Sequence, residues 1–373
     1  MRKILADRVG RIDASGIRKV FALAQTMPGA VNLSIGQPDF DAPELIKQQA
    51  VAAIQGGFNR YSQTTGEPEL VARLVELTRS QTGWQEPMVM VTCGVSGGIV
   101  LALMALVDPG DEVIIQDPYF VIYKHAVNLL GGRCVFVDSY PDFRLPVDGI
   151  AKVITDKTKL IIVNSPCNPT GVVYTQEELK ALAHIAAQRQ IVVLSDQIYD
   201  SFSYDGPCPG IGAFYEWTIV LKGLGKSYGV TGWRLGYAAV HPVLRPVFEA
   251  MAMIPQYTFV CAPTPFQRAA IAALDLDIGP YIQAYRRKRD LVCSLLARRF
   301  ELVRPSGAFY VFVKAPGSTG TEFVRRAIEK GVLVIPGGVF SERDTHFRVS
   351  FAAEDATIER GAVILNGLVE GPD

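Results

Sequence analysis

The chain has no excess charge of either sign: across 373 residues, 37 lysines and arginines balance 37 aspartates and glutamates. That balance lacks the electrostatic footprint of a nucleic-acid binder and leaves no acidic, solvating tail. Cysteine is sparse. Cys93, Cys134, Cys167, Cys208, Cys261 and Cys293 are scattered and form no C-x-x-C pair, so neither a disulfide framework nor a zinc site is indicated. The four histidines, His125, His184, His241 and His346, do not cluster and read as singletons. No apolar run approaches the length of a membrane span. Arg2, Lys3, Asp7 and Arg8 put charge where a secretory signal has its apolar core. The expectation is a cytoplasmic protein with no nucleic-acid partner and no membrane.

What is present is a chain long enough for a large core, 49% hydrophobic, with a repeated strand–helix rhythm. Apolar, β-branched runs fall at 112–116, 133–137, 160–164, 191–195 and 218–221. Helical patterns separate several of them, and one opens with a capping box, Thr175 with Glu178 three residues on. This predicts a mostly parallel sheet covered on both faces, with ligands beyond the carboxyl ends of its strands. Upstream, a helix is expected through Gln55, capped by Asp41 with Glu44 three residues later. Others are expected over 67–81 and 99–107, the last after a Gly-rich turn at 93–98. Downstream, helices are expected over 243–253, 263–274 and 279–300, the Arg/Lys run of the last being a solvated face. A change of style follows: strands at 309–313, 332–335 and 347–351, a helix at 322–330 and a final helix from Asp355.

The most informative stretch is Lys222-Gly223-Leu224-Gly225-Lys226-Ser227-Tyr228-Gly229-Val230-Thr231-Gly232-Trp233-Arg234-Leu235-Gly236-Tyr237. Five glycines argue against a helix and for a backbone passing close to something. A lysine that loses its proton can form a Schiff base with an aldehyde, and a planar guanidinium suits an anion. Gly225-Lys226-Ser227 has the tail of a P-loop, but Val220 stands where that motif needs glycine. The Gly-rich turn at 93–98, leading into a helix N-terminus, is an anion site by geometry.

Lys226 with Thr231-Gly232-Trp233-Arg234-Leu235-Gly236-Tyr237, together with Asn164-Ser165-Pro166-Cys167-Asn168-Pro169-Thr170-Gly171 and Arg348-Val349-Ser350-Phe351, resembles the motifs of pyridoxal-phosphate-dependent aminotransferases. The family is class I/II, fold type I, the aspartate aminotransferase superfamily. The resemblance runs from about Asn32 to Phe351. It implies an α/β fold with a mostly parallel central sheet, helices on both faces and a smaller α+β domain. The expected units are an N-terminal arm (1–40), a large cofactor domain (41–275) and a small C-terminal domain (276–373).

The resemblance also implies roles. Lys226 carries pyridoxal phosphate as an internal aldimine and then moves the substrate proton. Asp196 keeps the pyridine nitrogen protonated, Tyr199 and Asn168 meet the 3-oxygen, and Phe120 stacks on the ring. Val95, Ser96 and Arg234 hold the phosphate, joined across a homodimer by Tyr61. Gly36, Asn168 and Arg348 hold the substrate carboxylate. The implied reaction is ping-pong transfer of an amino group from an L-amino acid to a 2-oxo acid; a β-carbon–sulfur lyase or related synthase on the same fold is the alternative. Two departures from the family pattern, Gly223 and Gly225, stand where hydroxyl side chains often hold the phosphate, and predict weaker cofactor retention. No second arginine for a dicarboxylate is evident, and Tyr257 with Phe259 points towards an apolar or aromatic substrate.

Overall fold

The computed structural model describes residues 4–14 and 16–369. Strands in chain order are β1 (Val31–Asn32), β2 (Met88–Cys93), β3 (Glu112–Asp117), β4 (Arg133–Asp138), β5 (Thr158–Asn164), β6 (Val192–Asp196), β7 (Thr218–Gly223), β8 (Leu235–Val240), β9 (Tyr310–Lys314), β10 (Val332–Leu333), β11 (Ile335–Pro336) and β12 (His346–Ser350). Seven of them form the central sheet in the order β2-β8-β7-β6-β5-β3-β4. All its pairings are parallel except those made by β8, which runs against both β7 and β2.

Alternation along the strands explains how both faces are buried. Ile114, Ile161 and Val193 pack with Leu179, Leu182 and Ala186 of the helix Gln176–Gln188 on one face. Their neighbours Ile115, Ile162 and Leu194 pack with Ile99, Ala102 and Leu103 of the helix Gly94–Leu106 on the other. The expected parallel sheet is therefore present, with one reversed strand that the sequence pattern did not isolate. The capping box at Thr175 is formed in both directions.

Several boundaries differ from expectation. The helix expected from Ile99 begins at Gly94, so the Gly-rich turn is its first turn. The strand beside it must also be small: a Cβ on Gly236 of β8 would stand 2.7 Å from the Gly94 carbonyl carbon. Asp41 does not cap the next helix, which runs Glu44–Gln55 with Pro43 at its N-cap. Instead Asp41 accepts from the Ala42 amide and from Lys47. The Gly-rich stretch around Lys226 does hold one helical turn, Leu224–Ser227. The strand expected over 332–335 is two short strands in different sheets: β10 pairs with β1, and β11 with β12. The charged face of the helix Gly279–Leu296 is not wholly solvated. Arg289 is fully buried, bonded to Asp205, Asp290 and the Pro305 carbonyl.

The β1–β10 pairing ties the N-terminal segment to the C-terminal region. Val31 and Leu33 share a core with Val311, Phe347 and Val349 of the small antiparallel sheet β11-β12-β9, and with Phe309 just before it.

Candidate active site

Parallel strands leave their carboxyl ends on one side of the sheet. β3 delivers Phe120, β5 leads to Asn168, β6 ends on Asp196 and β7 leads to Lys226. β2 runs parallel to β7 and opens into Gly94, Val95 and Ser96. The reversed β8 begins just after Arg234, so its amino end lies on that same side. A cavity of about 600 Å³ results. Gly36, Val95, Ser96, Phe120, Asn168, Asp196, Tyr199, Lys226, Arg234 and Arg348, all singled out from the sequence, line it. Tyr61 does not; its side chain stands on the surface, 81% exposed.

One end of the cavity is built from backbone. Gly94 has φ +69°, a left-handed conformation natural to glycine, and lies under Arg234. A Cβ there would come within 2.8 Å of the Arg234 guanidinium. The first amides of the helix Gly94–Leu106 are free of intrahelical partners and carry the positive end of its dipole. Arg234 is itself left-handed at φ +55°, costly for a side-chain-bearing residue. Its Nη1 donates to the Thr231 carbonyl at 3.0 Å. Helix amides and a guanidinium meeting over a glycine form an anion cradle.

The other end is built from buried side chains. Arg348 donates through Nη1 to Asn168 Oδ1 at 2.9 Å and through Nη2 to the Ser34 carbonyl at 2.9 Å. Its guanidinium lies 4.3 Å from the Tyr310 ring centroid and 4.6 Å from that of Phe340. Its Nε has no partner. Asn164 fixes the turn, accepting from the Asn168 amide at 2.8 Å and donating to the Asp196 carbonyl at 3.0 Å.

Between the two ends lies Lys226, whose ammonium donates to the Gly36 carbonyl. Burial pushes this lysine down to about 8, and the Arg348 and Arg234 charges press the same way, with Asp196 opposing. Asp196 accepts from the Tyr123 hydroxyl at 2.7 Å and from the Ile198 amide at 3.1 Å. Burial still pushes it up to about 6, against those two bonds and the Lys226 charge. Tyr199 shares a 2.9 Å hydrogen bond with Tyr310, and burial raises its hydroxyl well above the ordinary phenol range.

Three contributors were missed from the sequence. Tyr123 lies three residues after Phe120 in no motif that marks it. Tyr310 lies inside the strand expected over 309–313, with nothing in that pattern to mark it. Arg18, on the helix Gly16–Thr26, also lines the cavity; nothing in its local pattern marks it. Tyr257 and Phe259 are exposed and do not line the cavity. Among the described residues no group of histidine, cysteine, aspartate and glutamate is arranged to hold a metal ion.

Residues 28–365 match the family model for aminotransferase class I and II. The chain is 35% identical to a probable aspartate aminotransferase of Methanocaldococcus jannaschii, over 98% of this chain and 100% of that one. It is equally 35% identical to aromatic-amino-acid aminotransferase 2 of Thermococcus litoralis, over 95% of each. The structure of Thermus thermophilus aspartate aminotransferase with maleate superposes with a TM-score of 0.92 at 33% identity, covering 98% of this chain and 100% of that one. A lysine softened by burial, a buried carboxylate, a glycine-lined helix N-terminus under one arginine and a second, buried arginine thus meet in a fold shared along nearly its whole length, and the chain belongs to the class I and II aminotransferases.

Proposed function

We infer that this chain uses pyridoxal 5'-phosphate, held through Lys226, to move the amino group of an L-amino acid to a 2-oxo acid. The observation that carries the reading is Lys226, pushed down to about 8, between an anion cradle and a buried carboxylate in one cavity. At that value about one lysine in ten is neutral at pH 7, against roughly one in three thousand for an ordinary lysine. A neutral amine is the nucleophile an aldehyde needs.

The residues fit the cofactor's chemistry. The cradle of Gly94, Val95, Ser96 and Arg234 suits a phosphate, Phe120 offers an aromatic face, and Asp196 offers a carboxylate to a cationic ring nitrogen. A cation beside Asp196 offsets the burial that raises it. When bound, pyridoxal phosphate supplies an aldehyde carbon for an amine and an electron-withdrawing ring for carbanion chemistry. The protein's share is positioning and proton movement. Arg348, with an unpartnered buried Nε, receives the substrate carboxylate; Asn168 and Gly36 lie beside it. Tyr199 donates its hydroxyl hydrogen to an oxyanion, and Tyr310 donates to Tyr199 in turn. Lys226 would take the proton from the substrate α-carbon and redeliver it to the carbon on the far side of the amino nitrogen, two bonds away, as base and then acid. Because one site handles donor and acceptor in turn, the kinetics are ping-pong.

The working unit in this reading is a cytoplasmic homodimer. Val100 and Met104 on Gly94–Leu106, and Met253 on the helix packed against it, are exposed, as are Tyr61 and Tyr257. Burying such residues against a second copy would carry Tyr61 to the partner's phosphate cradle. The six cysteines are free and no described helix is long and apolar enough to cross a membrane.

Borohydride reduction of the purified protein followed by peptide mapping tests the anchor. A pyridoxyl adduct on Lys226 is expected, and its rate of formation from added cofactor rises with pH through about 8, as the ammonium loses its proton. An unmodified Lys226 would overturn the reading. Amino transfer to a 2-oxo acid, without release of pyruvate and ammonia, separates it from lyase chemistry.

A further inference from the structure

Asp196 and Lys226 reach the cavity on neighbouring strands, β6 and β7, which pair in parallel as far as Asp196 and Leu221. Among the described residues, the last backbone hydrogen bond between the two chains runs from the Gln197 amide to the Leu221 carbonyl, at 2.8 Å. Beyond it they part. One turns through Tyr199 and Asp200; the other enters the single helical turn Leu224–Ser227 that carries Lys226. No ladder sets the spacing of these two arms. Side chains do.

Lys222, near the end of β7, is a buried lysine that the reading above does not use. Its ammonium donates to Asp200 Oδ2 and to Gln81 Oε1, both at 2.6 Å. The other carboxylate oxygen, Asp200 Oδ1, accepts from the Ser201 amide at 2.8 Å and from the Ser201 hydroxyl at 3.3 Å. The Ser201 hydroxyl accepts in turn from the hydroxyl of Ser227, the residue next to Lys226, at 3.1 Å. Every role in this series is assigned: the lysine and the two serines give, and Asp200 receives, as a carboxylate does. Packing does not enclose the series. Lys222, Asp200, Ser201 and Tyr237 line a second cavity of about 420 Å³, bounded by the sheet and the helix Pro68–Thr82. With open space on that side, hydrogen bonds rather than contact hold the two arms.

We propose that Asp200 is a positioning residue: bonded to Lys222 on one side and through Ser201 to Ser227 on the other, it fixes the turn that carries Lys226 against the turn that carries Asp196 and Tyr199. This deepens, and rests on, the aminotransferase reading. Asp200 does not line the active-site cavity and acts only through its neighbours. Fixing the two arms keeps Lys226 enclosed among Asp196, Arg234 and Arg348, and enclosure is the first cause of its softened proton affinity. With the tie cut, the Lys226 turn is free to shift towards the second cavity, and water reaches the amine. The lysine then regains part of its ordinary affinity for a proton, and less of it is neutral at pH 7. Arg348, held by Asn168 and the Ser34 carbonyl, is outside this series, so carboxylate binding there does not depend on it.

The test takes the full-length protein, stripped of cofactor and then given pyridoxal phosphate, and follows the rate of the borohydride-trapped Lys226 adduct against pH. The wild-type midpoint is expected at about 8. In Asp200→Asn the midpoint rises by about half a unit to one unit, and the rate at pH 7 falls about threefold to tenfold. That variant also strands the Lys222 charge and loses stability, so Ser201→Ala supplies a second reading. It leaves the Lys222–Asp200 pair intact, cuts only the tie to Ser227, and moves the midpoint the same way by less. Ser201→Thr keeps a hydroxyl and stays at the wild-type midpoint. In turnover, kcat falls in Asp200→Asn and Ser201→Ala while KM for the amino acid does not rise. A midpoint unchanged in both variants overturns the assignment, whatever happens to Tm, because the series then serves stability alone. A raised KM with kcat unchanged overturns it as well. If wild-type Lys226 forms the adduct and only the variants fail to shift, the Asp200 assignment alone is wrong. If wild-type Lys226 forms none, the functional reading falls and this inference with it.

Discussion

The two ends of the cavity present positive charge by different means. Around Arg348 everything is side chain, buried and already committed: Asn168 and Ser34 accept from the guanidinium, while Tyr310 and Phe340 sandwich it. Around Arg234 the donors are helix amides and one exposed guanidinium on a left-handed residue, with glycine at 94, 223 and 225. A buried site is set before its ligand arrives, but loses a great deal if one partner goes, because the rest are stranded without water. An amide-built site spreads the work over backbone that mutation barely touches. Substitutions at the two ends should therefore differ in size and in the step they affect.

The largest effect lies between the ends. Lys226→Ala removes both the nucleophile and the proton carrier, and turnover is expected to fall by about a thousandfold or more. Steady-state rates with added cofactor measure it, and a rate within tenfold of wild type would show that neither end serves this lysine. At the side-chain end, Arg348→Lys leaves the Asn168 and Ser34 oxygens poorly paired and loses the two-pronged fork. We expect kcat/KM to fall about a hundredfold, from a rise in KM and a drop in kcat together. At the backbone end, Arg234→Gln keeps the helix amides and should weaken cofactor binding about tenfold, with little change in substrate KM at saturating cofactor. Equilibrium dialysis separates the two; equal losses in cofactor and substrate binding would erase the distinction between the ends.

The smallest effect is a gain. The nearest atom to a Cβ on Gly225 is the Thr231 Cα, at 3.4 Å, an ordinary contact. Gly225→Ser should therefore add a hydroxyl near the cradle and slow cofactor loss a few-fold on dialysis. Gly223→Ser should gain less, because its Cβ would have to displace Ile198 Cδ1 at 2.7 Å and crowd Val95 Cγ2 at 3.1 Å. Equal behaviour of the two variants would mean that glycine at these positions has no bearing on retention.

Residues that act through their neighbours in sequence were legible in the sequence. Lys226 and Arg234 sit in one short motif. The turn from Asn164 to Gly171 is defined by its own prolines, glycine and asparagines. The capping box at Thr175 needs only four residues, and the alternating strands needed only their own pattern. Where the reading slipped, a distant partner had changed the outcome. Arg289 looked like part of a solvated face until Asp205 and the Pro305 carbonyl surrounded it. The glycines before Ile99 read as a turn because what packs on them, Arg234 on Gly94 and Leu221 of β7 on Gly98, lies more than 120 residues further on, and such close packing leaves no local trace.

The sequence by itself determined the family, the parallel sheet and the choice of Lys226, Asp196, Asn168, Arg234 and Arg348 as site candidates, all of which line one cavity. These depend on residue type and short spacing. Only the tertiary structure decided that Tyr123 supports Asp196, that Tyr310 stands between Tyr199 and Arg348, and that Arg18 lines the same cavity as an arginine 330 positions away. Chain closure over such distances is set by which apolar faces bury one another. A tyrosine in an apolar strand acquires its role from what the fold brings opposite it.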